Sequence, residues 1–176
     1  TIYKCAPPIR EKNNNEQLWK AIKKGIIEFI VTDHSPAPLQ IKELETGNFK
    51  KAWGGISGLQ FSLPVFWTKA KDLNFSIKEV ANLMSFNVAE FLNLEDHKGK
   101  IEIGYDADIT VWDPERSFLI QEQNILYKHR ISPYLNRKLY GVINKTYLSG
   151  IQIFNDNHIN PLVKGEIILN KFNEQT

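Results

Sequence analysis

A single cysteine, Cys5, excludes an intrachain disulfide and every cysteine-rich zinc module. The chain also lacks an apolar run long enough to span a bilayer, and it shows no signal-peptide pattern. A cytoplasmic protein with no membrane partner is therefore expected. Neither sign of charge dominates: 22 Lys and Arg face 20 Asp and Glu, for a net charge of +2. No long basic run stands out, which argues against nucleic acid as a partner. There is no internal repeat, and the one biased tract is Asn13-Asn14-Asn15. What is present suits a globular chain. Hydrophobic residues make up 42% and charged residues 24% of 176 positions, enough for a sizeable core.

The chain starts at Thr1, not methionine, and enters directly into Ile2-Tyr3-Lys4, which reads as the end of a strand. A fragment of a longer polypeptide is the expectation. Asn13 to Asn15 can cap a short helix through Leu18, Trp19 and Ile22, and Gly25 sits where a helix C′ residue belongs. Ile26-Ile27-Glu28-Phe29-Ile30-Val31 follows, a nearly continuous apolar run that predicts a parallel strand buried on both faces. Residues 39–53 are polar and read as a loop. A helix along Leu59, Leu63, Phe66 and Trp67 comes next, with Pro64 either in its first turn or before a late start. Ser76-Ile77-Lys78-Glu79 is a capping box, and Asn87-Val88-Ala89-Glu90 offers a second, so two short helices are expected.

The pattern changes near Glu95. Gly99 to Gly104 alternates with period two, Tyr105 to Asp108 reads as a turn, and Ile109-Thr110-Val111-Trp112 as the returning strand, closed by Asp113-Pro114. Thr146-Tyr147-Leu148, Ser149-Gly150 and Ile151 to Phe154 predict another hairpin. A last short strand is expected at Ile167-Ile168-Leu169.

Chemistry concentrates where the apolar run ends, in Thr32-Asp33-His34-Ser35-Pro36-Ala37-Pro38. Two prolines stop the strand there. In a (β/α)8 barrel, strand ends at the C-terminal face carry the reactive groups, and a carboxylate at that position can bind a metal and move a proton. A lone Asp-His at a strand end is more often a turn cap beside a locally bonded histidine. Two flanking elements shift that balance: Lys4-Cys5-Ala6-Pro7-Pro8-Ile9-Arg10 before it, and Lys51-Ala52-Trp53-Gly54-Gly55-Ile56-Ser57-Gly58 after it.

Together these three elements resemble the C-terminal part of a cyclic-amide hydrolase of the amidohydrolase superfamily, and within it the allantoinases. Gly99 to Asp108 is similar to the superfamily's structural G-x-I-x-x-G-x-D-A-D signature. His129-Arg130-Ile131-Ser132-Pro133-Tyr134 is similar to a segment shared by allantoinases and hydantoinases, although Asn136 replaces the usual glycine. The resemblance implies an α/β fold. Residues 1–95 would supply the last βα units of a TIM-type barrel, and residues 96–176 the C-terminal strands of a small β-sandwich. A whole barrel needs about 250 residues, more than this chain has.

The resemblance further implies hydrolysis of a ring amide, allantoin to allantoate, by two divalent metals, usually zinc. Asp33 would be both metal ligand and proton-transfer group. Ala6, Ser35, Gly54 and Gly55 would line the substrate, a small cyclic ureide. Ala6 argues against a dihydroorotase, which carries asparagine there. The remaining ligands, a His-x-His pair, a carboxylated lysine and two further histidines, match nothing in this chain. A homo-oligomer, commonly a tetramer, is implied as well. His97, His129 and His158 show no ligand spacing, Asp106 and Asp108 read as turn caps, and Cys5 as a small buried residue. Two rivals stay open: a hydantoinase or dihydropyrimidinase, and a non-catalytic homologue without a metal site.

Overall fold

The computed structural model describes residues 1–168. Helix α1 spans Lys12–Lys23, α2 Ser62–Asp72, α3 Ile77–Ala81 and α4 Asn87–Phe91. Strands β1 (Ile109–Leu119), β2 (Lys138–Leu148), β3 (Ile151–Asn155) and β4 (His158–Ile159) form one antiparallel sheet in that order. No helix among the described residues is long and apolar enough to cross a membrane.

Helix α2 is the hub. Phe66, Trp67 and Ala70 enter one core with Ile22, Phe75, Val80 and Leu83. Trp19 stacks on Phe66 at 5.0 Å, and Trp67 meets Trp112 of β1 edge-on at 5.4 Å. The Trp67 indole N–H donates to the Pro114 carbonyl at 2.9 Å, so the ring is buried without stranding its donor. Phe61, just ahead of α2, joins a second core with Ile120, Ile125 and Leu139. Each large side chain so buried contributes about 1.5–3 kcal/mol. Thr68 fastens the helix to the sheet: its hydroxyl donates to Pro64 O and accepts from the Tyr140 N–H of β2.

Several sequence expectations hold. Ser76 and Glu79 form the reciprocal capping box. Gly25 ends α1 at φ +69°, its N–H bonded to Ile22 O while the Ile26 N–H reaches Ala21 O, a Schellman pattern. Pro64 lies in the first turn of α2. Ser149 and Gly150 turn β2 into β3 with positive φ at both positions, as a type I′ turn requires.

Others fail, for identifiable reasons. Helix α1 starts at Lys12, with Glu11 as the flanking residue and no side-chain cap, so Asn13 to Asn15 lie inside it. Residues 39–53 include a 3₁₀ turn at Leu39–Lys42. Asn87 does not cap: its amide donates to Glu28 O at 2.6 Å, and a π turn at Asn82–Phe86 joins α3 and α4 into one continuous helical run. Residues 2–4 and 26–31 are not strands. In the second segment Ile27 and Ile30 pack on the core, but Ile26 and Val31 are exposed. A strand needs a ladder partner, and Ile30 N–H bonds instead to Leu83 O of the π turn. Gly99 to Gly104 is likewise not a strand, with Ile101 and Ile103 in solvent. Strand β1 passes through Asp113-Pro114 by way of a bulge and pairs with β2. Ile167 and Ile168 form no strand, and Leu169 lies outside the described residues.

Candidate functional site

The three elements singled out in the sequence converge on one edge of the molecule. The short parallel bridge between His34 and Ile56 aligns the Asp33 segment with the glycine loop, and the Ser35 N–H donates to Ile56 O at 3.0 Å. The Gly55 N–H donates to Lys4 O at 3.0 Å, which adds the first element. Gly54 is exposed beside Cys5, whereas Gly55 is buried against Ser35. A Cβ built on Gly55 would stand 2.6 Å from Ser35 Cβ, so the chains approach more closely than any side chain permits.

Asp33 is exposed, and its Oδ1 accepts from the Ser35 hydroxyl at 3.1 Å. No other hydrogen bond reaches this carboxylate among the described residues. It keeps lone pairs free to take a proton or a cation. His34 is engaged differently: its Nδ1 accepts from the Leu59 N–H at 3.2 Å, and its ring meets Tyr127 edge-on. With Nδ1 accepting, a neutral imidazole carries its proton on Nε2 and has no lone pair left for a metal. Ala6 is exposed and precedes a cis proline, Pro7. Cys5 is half-buried, not fully buried as expected, and its thiol lies 3.2 Å from Pro7 O.

Sequence reasoning missed Lys42. This lysine is only 4% exposed. Its ammonium donates to the carbonyls of Gly55 (2.9 Å), Trp53 (3.1 Å) and Lys4 (3.2 Å). Burial pushes its pKa below the ordinary lysine value; Cys5 opposes that shift and Lys4 adds to it. Nothing in the sequence marks it, because a lysine in a polar stretch is ordinarily solvated. Ile131 and Pro133 line the same small crevice as Lys42, Gly55 and Ser57, so the His129–Tyr134 segment also borders this edge.

Asp106, Asp108, His97 and His158 make local contacts away from this edge. Lys98 pairs with Asp106 at 2.8 Å and Asp108 at 2.7 Å, and Asp108 also accepts from the Ser149 N–H. Burial pushes Asp108 up, but Lys98 and that N–H outweigh it and hold the carboxyl below its usual value. His97 bonds to its neighbour Asp96, and His158 lies beside Asp156 O. A wide apolar concavity lies between Leu59, Phe118, Ile143 and Phe154; His34 lines it and Asp33 does not.

Among the described residues no three His, Cys, Asp or Glu side chains gather closely enough to hold a metal. Asp33 alone does not make such a site, which needs three or four protein donors.

These features match a known class. Residues 9–168 fit the Amidohydrolase family, and the chain belongs to it. It is 41% identical over 175 residues to "Probable allantoinase 2" of Dictyostelium discoideum, covering 96% of this chain and 34% of that protein. Against the allantoinase of Arabidopsis thaliana the identity is 40% over 158 residues, with 89% and 31% covered. The chain thus spans about a third of the length of the curated relatives it matches. Among solved structures, a D-hydantoinase is 26% identical with a TM-score of 0.83, over 90% of this chain and 35% of that one. An L-hydantoinase (dihydropyrimidinase) from Arthrobacter aurescens is 25% identical with a TM-score of 0.84, over 90% and 36%. The fold is therefore a hydantoinase-like α/β fold.

Proposed function

We propose that this chain is the C-terminal third of a cyclic-amide hydrolase that opens allantoin to allantoate. The observation that carries the reading is the single edge formed by Asp33, Ser35, Gly54, Gly55 and Ala6. The exposed carboxylate sits beside two stretches of close-packed backbone. Relatives named allantoinases are 37–44% identical, against 25–26% for the hydantoinase structures cited, which favours allantoin over hydantoin.

In the reaction, the oxygen of a water bonds to the ring carbonyl carbon and the ring C–N bond breaks. Asp33 accepts the proton the water loses and returns it to the leaving nitrogen. One carboxylate within reach of both atoms can serve as base and then as acid. The Ser35 hydroxyl orients that carboxylate. Exposed backbone at Ala6 and Gly54 offers N–H and C=O groups to a polar ring without intervening side chains. Divalent metal, two zinc ions by resemblance, belongs to the proposal with Asp33 as this chain's ligand. Its other ligands would come from residues outside this chain.

Residues 1–95 read as barrel units and residues 96–176 as the C-terminal part of a sandwich. A homo-oligomer, tetrameric by resemblance, completes the assembly. The test is a substrate panel of allantoin, hydantoin and dihydrouracil on the full-length protein, with Asp33→Asn as control. Preference for hydantoin would move the assignment to the hydantoinases. No turnover of any ring amide would leave a non-catalytic homologue.

A further inference from the structure

A lysine buried without a carboxylate is costly: the ammonium loses its water, and neutral carbonyls replace only part of it. All three partners of Lys42 are backbone carbonyls, one for each of its three N–H donors. Their positions explain what the cost achieves. The Lys4 carbonyl lies two residues before Ala6, and the Trp53 and Gly55 carbonyls bracket Gly54. The same Lys4 oxygen also accepts from the Gly55 N–H at 3.0 Å, so two donors converge on it. The 3₁₀ turn that presents Lys42 is itself tied to the loop, through the Trp53 N–H to Ile41 O at 2.7 Å. The ammonium therefore stands directly behind the edge on which the ring substrate is proposed to rest.

We propose that Lys42 is a positioning residue for substrate binding: its ammonium, caged by the carbonyls of Lys4, Trp53 and Gly55, fixes the spacing between the Ala6 backbone and the Gly54–Gly55 loop. Being buried, it does not touch the substrate. Asp33 is not in the cage, so loss of the cage should weaken ring binding more than proton transfer. The substrate part of this inference rests on the allantoin reading; the cage does not.

The test uses Lys42→Met and Lys42→Arg in the full-length, metal-loaded protein. Methionine keeps an unbranched apolar stem and removes all three donors. Arginine keeps the charge, but its planar fork cannot send three bonds from one point to converging carbonyls. Both variants should raise KM for allantoin at least about tenfold with kcat within about threefold, the pattern of lost binding that the ground and transition states share. Metal content should stay at the wild-type level. Amide hydrogen exchange over residues 52–58 should quicken at least about tenfold in Lys42→Met, reporting a loosened loop.

A folded variant with wild-type KM overturns the proposal, and so does a loss confined to kcat. A lower melting temperature with unchanged KM would make Lys42 a fold-holding residue only, which also overturns it. If Lys42→Met does not fold, Lys42→Arg decides. If the wild-type protein hydrolyses no ring amide, the functional reading fails, and exchange decides the cage: unchanged rates at Gly55 refute it, faster rates support it.

Discussion

Gly54 and Gly55 are adjacent in sequence, yet the structure predicts opposite responses to alanine. A Cβ on Gly54 would find its nearest neighbours at 4.0 Å, an ordinary contact. One on Gly55 would meet Ser35 Cβ at 2.6 Å, the Trp53 indole nitrogen at 2.7 Å and Ser35 O at 2.8 Å. Restoring ordinary contact requires a shift of about 0.8 Å, and one obstacle is a backbone oxygen that cannot swing aside. Overpacking of this kind costs about 1–3 kcal/mol. Gly54→Ala should stay within about 0.5 kcal/mol of wild type. Urea unfolding of the full-length protein reads the difference as a lower midpoint at unchanged slope. A second effect follows from the neighbour displaced. Ser35 holds Asp33, so Gly55→Ala should also lower kcat about tenfold or more, because displacements near an ångström are felt strongly in catalysis. The close packing of Gly55 on Ser35 thus joins a loss of stability to the kinetic loss. Equal midpoints for the two variants would refute the geometry.

Asp33→Asn should keep the fold and lower turnover at least about a hundredfold, the usual loss for a proton-transfer group; near-normal turnover would remove Asp33 from the mechanism. The Ser76 backbone N–H, then Lys23 and then the Ser76 hydroxyl hold Glu79 down at about 2, below its ordinary 4.5. A depressed carboxylate stabilises the fold above its unfolded value, so this contribution is complete above about pH 4.5 and is lost as pH falls toward 2. Lys23→Met, which breaks the 3.0 Å contact between α1 and α3, should raise that pKa in an NMR titration, and an unchanged value would discount the pair. The isolated 1–176 segment should neither retain zinc through dialysis nor hydrolyse allantoin, since Asp33 is its one proposed ligand. Stoichiometric zinc with turnover would show that the ligand count is wrong.

Whatever neighbours along the chain can settle was legible in the sequence. The capping box of Ser76 and Glu79, the Gly25 helix end and the Ser149-Gly150 turn are short-range hydrogen-bond patterns, written in a few adjacent residues. The motif around Asp33 was legible for a related reason: a carboxylate followed by prolines at the end of an apolar run is a local signal. Tertiary structure decided the rest. Whether Ile26 to Val31 forms a strand depends on a partner strand, not on its own composition. Asn87 abandoned a cap because Glu28, 59 residues away, offered it a carbonyl. Two of the three atoms that a Cβ on Gly55 would meet belong to Ser35, which only the fold brings against the loop. Lys42 shows the limit most clearly. Its three acceptors come from positions 4, 53 and 55, and only the folded chain closes them around an ammonium that sequence alone would leave in water.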